Sequence, residues 1–239
     1  MPSNENHLIQ LLPIRDRKRL VAACEPVQLE LSEVLCEPGA ATRHVYFPTG
    51  GFVSLVAKVE GSTGVEVGMI GREGMLGVQL SLDVPTAPLH ALVQGPGAAL
   101  RVDTAAFGRE LALSPALQRL LKRYVYVLMI QLANSAACQR FHMVSARLAR
   151  WLLMSEDRAQ ARTFHVTQEF LAYMLGVRRV GVTNAASVLQ RDGLIRYHRG
   201  EVHVLDRSGL EKAACTCYES DRSSYTGLLG HPFATFRPG

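Results

Sequence analysis

Hydrophobic positions in the first hundred residues recur in short alternating runs. Residues 27–35 (VQLELSEVL) alternate between apolar and polar side chains, and residues 44–60 contain two apolar runs around a Pro-Thr-Gly-Gly turn. Further runs follow at residues 65–71, 91–95 and 98–103, with turns rich in glycine and proline between them. Many short strands at this spacing are typical of a β-sandwich or barrel. The pattern therefore predicts a β-domain, with one or two helices in the first 25 residues.

A long uninterrupted helix is predicted after the β-domain, over residues 114–141. Ser114 can cap it and Pro115 suits its first position. At about 1.5 Å per residue the helix is roughly 35 to 40 Å long, which exceeds the needs of a small domain. Such a helix either crosses a large core or pairs with a second copy of the chain, and we expect the pair, along apolar residues at 4-3-4 spacing. The predicted dimer residues are Leu117, Leu121, Tyr124 and Leu128.

Residues 167–206 have the pattern of two short helices, a turn and a small hairpin. Thr167 can cap the first helix, Gly176 interrupts it, and a second helix extends to about Arg191. Two β-like runs flank Arg199-Gly200, which suits a tight turn.

This arrangement predicts a winged helix-turn-helix. Ala172 lies four residues before Gly176, as the close helix contact and the left-handed turn of such a unit require. The apolar residues that fit its buried positions are Leu171, Leu175, Val177, Val182 and Ala185. In this unit the second helix enters the major groove of DNA.

The charge distribution supports a nucleic-acid partner. The chain carries a net charge of +5, and residues 139–207 hold 11 basic and 6 acidic residues, while the rest of the chain is balanced. All 11 basic residues there are arginines, whose planar guanidinium suits contact with phosphates and bases. A basic segment in an otherwise neutral protein is typical of a nucleic-acid binder.

The chain resembles the Crp/Fnr family of bacterial transcription regulators over roughly residues 20 to 210. The resemblance rests on LCEPGAATRHVYFPTGGFVSLV in the β-domain, on the long helix, and on TQEFLAYMLGVRRVGVTNAASVLQRDGLI with its hairpin. It implies an α+β fold in which a jelly-roll sensor domain, a double-stranded β-helix, precedes the dimerisation helix and a winged helix-turn-helix. The expected segments are a sensor at 1–113, a dimerisation helix at 114–139, a DNA-binding domain at 140–210 and an extension at 211–239.

The resemblance also assigns roles in the second helix of the DNA-binding unit. Arg179 falls where the family places an arginine that reads guanine, and its fork matches O6 and N7. Val180 replaces the usual acidic residue and can touch a thymine methyl, while Asn184 replaces a basic residue and matches adenine. Phosphate contacts are expected from Thr167, Arg178, Thr183, Ser187, Arg196, His198 and Arg199.

Members that bind cyclic nucleotides hold the ribose with a glutamate after a glycine, and the phosphate with an arginine followed by serine or threonine. Here Val78 follows Gly77, and Leu89 and His90 stand at the arginine and hydroxyl positions. A buried phosphate without a cation is costly, and Arg72 is the only nearby cation. We therefore expect a degenerate pocket that does not bind cyclic nucleotides. The residues assigned to it are Gly71, Arg72, Gly77, Val78, Leu89 and His90.

No resident cofactor or metal is expected, although an unknown small-molecule effector fits the sensor domain. Cys24 and Cys36 alone do not supply the four cysteines of an iron–sulfur cluster. A haem would need His44 or His90 as an axial ligand. The alternative functions are a regulator responsive to cyclic AMP or cyclic GMP, and a cupin-like enzyme that would need about three histidines and a carboxylate.

Cys215 and Cys217 form a C-x-C pair near the end of the chain. They are either small residues near a helix end or a redox or metal contact, and the sequence leaves both interpretations open. The following segment, residues 220–239, is polar and rich in proline and glycine after a short apolar patch, and it is expected to end as a mobile extension.

The expected partners are double-stranded DNA, a second copy of the chain and RNA polymerase, with no membrane. The longest apolar run is too short for a bilayer and the amino terminus lacks the pattern of a signal peptide, so we expect a cytoplasmic protein. No catalytic residues are predicted.

Overall fold

The computed structural model describes residues 5–60 and 64–230, and two short helices open the described part. The Asn6 side chain accepts hydrogen bonds from the amides of Leu8 and Ile9 and so caps the first helix. Seven strands follow in this part of the chain, as the alternating pattern predicts. A 3-10 helix lies between two of them, and a third α-helix follows the last. The elements are α1 (His7–Gln10), α2 (Ile14–Ala22), β1 (Glu25–Leu29), β2 (Val34–Cys36), β3 (His44–Pro48), β4 (Phe52–Ala57), β5 (Val65–Ile70), a 3-10 helix (Val78–Leu82), β6 (His90–Gly95), β7 (Gly97–Asp103) and α3 (Thr104–Leu113).

The seven strands form two antiparallel sheets, in the orders β1-β7-β3 and β2-β6-β4-β5. Residues on their inner faces, among them Val53, Ile70 and Val93, are almost completely buried between the sheets. This is the jelly-roll architecture that the sequence predicts. The 3-10 helix and α3 were not predicted, because residues 78–82 and 104–113 lie among glycine-rich or short apolar stretches without a clear helical period.

The long helix α4 (Pro115–Phe141) follows directly, and Ser114 caps it by accepting a hydrogen bond of 3.0 Å from the Leu117 amide. One face of α4 packs on the β-domain, mainly on β5, the 3-10 helix and α3. None of the helices in the described ranges is long and apolar enough to cross a bilayer.

The rest of the described chain is mostly helical. It also contains a small three-stranded sheet in the order β8 (Thr163–His165), β10 (Glu201–Val204), β9 (Ile195–His198). Trp151, Leu152 and Val182 lie in its core, which also takes in Phe52 and Met69 from the β-domain. This helical unit therefore packs against the four-stranded sheet of its own chain. The elements are α5 (Val144–Ala159), β8 (Thr163–His165), α6 (Gln168–Leu175), α7 (Arg179–Arg191), β9 (Ile195–His198), β10 (Glu201–Val204), α8 (Arg207–Ala213) and α9 (Cys217–Leu229).

The helix α9 corrects one prediction. Residues 220–230 are not a mobile extension but the larger part of a helix that packs along α4. Tyr225, almost fully buried, donates a hydrogen bond of 2.7 Å to the Glu73 carbonyl oxygen. The apolar residues Tyr225 and Leu229 lie four residues apart on one face, so the polar average of the segment concealed a buried stripe. The remainder of the predicted extension, residues 231–239, lies outside the described residues.

A turn at residues 71–74 brings α4 and α5 close to the β-domain. Arg158 of α5 forms an ion pair of 2.8 Å with Glu73, and the Gly71 amide donates to the same carboxylate. A Cβ atom on Gly71 would lie 2.7 Å from the Arg158 side chain, and a Cβ atom on Gly74 would collide with the Tyr124 hydroxyl group of α4. The glycines of this turn are therefore needed for close approach between elements.

We expect Gly74→Ala to destabilise the protein by about 1–3 kcal/mol, because the added methyl overpacks the Tyr124 contact. The matched control is Gly108→Ala in α3, where a Cβ atom meets nothing within 4 Å. That change is expected to stabilise by about 0.5–1 kcal/mol through helix propensity.

Chemical denaturation of both variants measures the two free energies of unfolding. In a Tyr124→Phe background, where the hydroxyl is absent, the cost of Gly74→Ala is expected to fall. Equal effects of the two alanines would contradict the close approach.

Candidate nucleic-acid interface

Two helices joined by a sharp turn form the centre of the interface. Thr167 caps α6 by accepting a hydrogen bond of 3.1 Å from the Phe170 amide. Gly176 ends α6 in the left-handed region, with a φ of 60°, and its amide bonds back to the Tyr173 carbonyl. Because glycine has no Cβ atom, it adopts this backbone without strain. The turn then leads directly into α7.

The predicted buried set fixes α6 and α7 on the domain core. Leu171, Leu175, Val182 and Ala185 are all buried, as the helix-turn-helix pattern predicts, and Val177 is half-buried. The helix α7 packs on α5 as well as on α6. The opposite face of α7 is consequently exposed.

Every base-reading and phosphate-contacting residue predicted on α7 lies on that open face. Arg179 and Asn184 are exposed, and Val180 is 63% exposed, which is unusual for a valine on an amphipathic helix. Arg178, Thr183 and Ser187 are exposed on the same side. The structure brings these residues together, and their contacts with DNA remain predictions.

Two of the predicted phosphate contacts already have hydrogen bonds within the domain. The Thr183 hydroxyl lies 2.7 Å from Gln168 Oε1 and so ties α7 to the start of α6. The Ser187 hydroxyl donates to the Thr183 carbonyl at 2.8 Å. Both hydroxyl oxygens can still accept a hydrogen bond from a partner. Their protons are already engaged, that of Thr183 between α7 and α6 and that of Ser187 within α7.

The hairpin of β9 and β10 forms the wing. Arg199 and Gly200 have φ values of 48° and 85°, which is the pattern of a tight two-residue hairpin turn. Arg196, His198 and Arg199 are exposed on it, as predicted. Burial raises the pKa of Tyr197 to about 12, and its hydroxyl donates to the Val166 carbonyl, which anchors the wing beside α6. The third strand, β8, was not predicted because it is only three residues long.

The arginine excess is not all available to DNA. Arg147, Arg150 and Arg158 of α5 are buried, and Arg207 pairs with Glu156 and Asp157 at 2.7 Å. The net charge of residues 139–207 therefore overstates the number of arginines that are available to bind phosphate. The exposed arginines of α7, its amino-terminal flank and the wing are Arg178, Arg179, Arg191, Arg196 and Arg199.

The β-domain encloses an apolar cavity of about 160 Å³ beside α4. Gly77, Val78 and Leu89, three of the residues assigned to the ligand pocket, line it together with Val125 and Met129 of α4. No charged side chain is among its lining residues, and Gln79 is the one polar amide there.

Three other residues assigned to the ligand pocket lie elsewhere, so their assignment was wrong. Gly71 and Arg72 belong to the turn against α5, where the Arg72 guanidinium faces the Gln160 side chain. His90 is buried and its Nδ1 atom lies 3.0 Å from Glu37 Oε2. Close packing of helices on a turn requires glycine, as a phosphate-binding turn does. The glycine spacing around residue 71 therefore resembled a phosphate-binding turn.

The predicted dimer residues also need correction. Leu117, Leu121 and Tyr124 are at most 2% exposed within one chain, and Leu128 lines the cavity. Their 4-3-4 spacing does mark a buried face, but that face packs on the β-domain and on α9. A second stripe of α4 is open instead, with the 4-3-4-3-4 spacing of a helix seam. This outer stripe consists of Lys122, Tyr126, Met129, Ala133, Ala136 and Arg140.

A cluster that the sequence did not predict lies where α4 meets α5. Cys138 and His142 from the end of α4 meet Cys215 and Cys217, and their donor atoms all lie within 4.8 Å of one another. A hydrogen bond with Cys215 lowers the pKa of Cys138 to about 5. The C-x-C pair was the only signal in the sequence, because its partners lie more than 70 residues away. His44 and His90 belong to no comparable grouping within residues 5–60 and 64–230.

Comparisons with known proteins agree with this geometry. Residues 146–213 match the model of the Crp-like helix-turn-helix domain. No curated protein matches the chain.

Solved structures share the fold at low identity. FixK2 from Bradyrhizobium japonicum superposes with a TM-score of 0.68 at 14% identity, covering 80% of this chain and 98% of FixK2. TTHB099, a CRP-family regulator from Thermus thermophilus, gives 0.64 at 19% identity over 79% and 96% of the two chains. The c-di-GMP-responsive regulator CLP from Xanthomonas campestris gives 0.64 at 18% over 80% and 99%. Residues 146–213 therefore form a Crp-like helix-turn-helix domain, and the chain as a whole shares the fold of these solved regulators.

Proposed function

We propose that the protein regulates transcription as a homodimer that reads an inverted-repeat DNA site through α7. The observation that carries this proposal is the open face of α7, where Arg179, Val180 and Asn184 are exposed together on a matched helix-turn-helix domain. The wing adds Arg196 and Arg199 beside that face. This face is the part of α7 that the contacts with α5 and α6 leave uncovered.

Three side chains on the first two turns of α7 give the proposed base code. Arg179 presents two donors to guanine O6 and N7, Val180 packs on a thymine methyl group, and Asn184 pairs with adenine N6 and N7. Thr167, Arg178 and the wing arginines are assigned to phosphates, which set the register of the protein without reading sequence. RNA polymerase is proposed as the protein partner by analogy with the Crp/Fnr regulators.

The homodimer is proposed to form along the outer stripe of α4. Tyr126 and Met129 are 53% and 60% exposed, and Ala133 and Ala136 continue the seam with small residues that allow close helix approach. An apolar seam of this kind on a long helix is typical of a parallel or antiparallel helix pair. A two-fold dimer then presents two copies of α7, and half-sites about one helical turn apart follow from that symmetry.

The sensor cavity is proposed to take an uncharged effector rather than a cyclic nucleotide. Its lining lacks the cation that a buried phosphate needs, because Leu89 stands where the family has arginine and Arg72 faces away. Met129 belongs both to the cavity wall and to the outer stripe, so an occupant would contact the dimer helix directly.

Arg179→Ala is expected to weaken binding to a genomic duplex retained by the wild-type protein by about 5- to 150-fold, or about 1–3 kcal/mol. The matched control is Arg191→Ala, which removes the same charge from the last turn of α7, where the side chain is 75% exposed. Fluorescence anisotropy at several salt concentrations compares the two. Equal losses would show that Arg179 contributes only charge and would contradict its reading role.

Ala133→Glu is expected to weaken the dimer by about 100-fold or more, because two unpaired carboxylates would be buried in the seam. Ala112→Glu, at an exposed position of α3, is the matched control and is expected to leave the assembly unchanged. Analytical ultracentrifugation of both variants measures the change. A wild-type monomer, or an Ala133→Glu dimer as tight as the wild type, would contradict the proposed seam.

Cyclic AMP and cyclic GMP at about 1 mM are each expected to shift the melting temperature by less than about 1 °C. A ligand stabilises the folded protein appreciably only when its concentration exceeds its dissociation constant. Calorimetric titration with the same nucleotides provides an independent measurement. Clear stabilisation at micromolar nucleotide would overturn the assignment of an uncharged effector and favour the cyclic-nucleotide alternative.

A further inference from the structure

Four metal-binding side chains from two distant segments converge beside the DNA-binding domain. Cys138 lies in the last turn of α4, and His142 is the residue that follows the helix. Cys215 precedes α9 and Cys217 is its first residue. All four residues lie outside residues 146–213, the segment that matches the helix-turn-helix model. It is therefore built by the carboxyl-terminal segment and the long helix together.

The distances within the cluster are those of a single tetrahedral site. Cys138 Sγ lies 3.4 Å from Cys215 Sγ, and Cys217 Sγ lies 3.6 Å from His142 Nδ1. Zinc bound at about 2.3 Å from sulfur and 2.0–2.1 Å from nitrogen holds neighbouring ligand atoms roughly 3.5–3.8 Å apart. These two pairs of donors are therefore already spaced as neighbouring ligands of one tetrahedral ion.

Burial and surrounding charge suit thiolate ligands. The three cysteines are buried, and His142 is half-buried at the edge of the cluster. Zinc with three thiolates and a neutral imidazole carries one net negative charge, which a buried site must balance. Arg147 and Arg150 both interact electrostatically with Cys138 and Cys215, so the balancing cations are already in place.

Hydrogen bonds around the cluster hold α9 against α4 and α5 even without a metal ion. Asp221 of α9 accepts hydrogen bonds of 2.7 Å from both Arg150 and Asn134, which joins α9 to α5 and α4. Such outer contacts orient the residues that bind the metal directly.

We propose that Cys138, His142, Cys215 and Cys217 bind one zinc ion in a structural site that fastens the carboxyl-terminal segment to the α4–α5 junction. An iron–sulfur cluster fits less well, because it inserts several iron and sulfide atoms between its ligands and needs donors spread further apart. The site lies outside the sensor cavity, so it does not depend on the effector or on the identity of the DNA sequence.

The test uses the full-length chain under reducing conditions, after zinc has been removed with a chelator. Titration with zinc chloride is expected to saturate at one ion per chain and to raise the melting temperature by about 5 °C or more. Cobalt chloride, a coloured substitute, is expected to give the intense visible bands of a tetrahedral ion and a thiolate charge-transfer band. Zinc is also expected to protect three thiols from alkylation.

The double variant Cys215→Ser, Cys217→Ser is expected to lose the cobalt charge-transfer band and the zinc-induced stabilisation. The matched control, Cys24→Ser with Cys36→Ser, changes two cysteines outside the cluster and is expected to retain both. The cobalt titration of the wild-type protein keeps the test decisive even if the cluster variant folds poorly.

Three results would overturn the proposal. The first is a folded, reduced wild-type protein that takes up no zinc or cobalt at micromolar concentration. The second is an octahedral cobalt spectrum, or zinc binding that the cluster variant retains in full. The third is a brown protein with stoichiometric iron and sulfide, which would replace the single ion with a cluster.

Discussion

The buried ion pair between Glu73 and Arg158 is the contact on which the arrangement of the domains depends. Both side chains are less than 10% exposed. The Gly71 amide also donates to Glu73, and Arg158 also donates to the Met69 and Met154 carbonyls. Removing one member of such a pair leaves an uncompensated buried charge, whereas an intact pair fixes geometry even where it adds little net stability. Because α5 carries Arg158 and also supports α7, the pair sets where the DNA-binding face stands relative to the β-domain. Tyr225 of α9 bonds to the Glu73 carbonyl and joins the same junction.

The helix α4 connects every functional region of the chain. Its inner face meets the 71–74 turn through Tyr124, its flank closes the sensor cavity through Leu128, and its outer stripe is open to a second copy. Its last turn supplies Cys138 to the cluster beside α5. One rigid element therefore has contacts with the cavity, the proposed dimer seam and the base of the DNA-binding domain. A change at any of these places therefore acts on the same helix.

Local signals in the sequence were sufficient for the DNA-binding domain and for the strands, because caps, turns and periodicity are set by neighbouring residues. Gly176 and Thr167 are examples, and both have the predicted roles. Four features were mispredicted or missed because they depend on contacts between distant segments. The 4-3-4 spacing of Leu117 and Leu121 shows that a face is buried but not what covers it. Glycine in the 71–74 turn reflects helix packing rather than a phosphate, and the excess arginines are partly used inside α5. The cysteine cluster needed the packing of α9 on α4, of which the sequence shows only the C-x-C pair.

The central claim is that two copies of α7, related by two-fold symmetry, read DNA sequence. Selection of bound duplexes from a random library with the full-length protein tests this claim most directly. The account predicts an inverted repeat whose half-sites are centred about one helical turn apart, with a guanine, a thymine and an adenine among the fixed positions of each half. Enrichment of no motif, or of a single half-site without its symmetric partner, would contradict it.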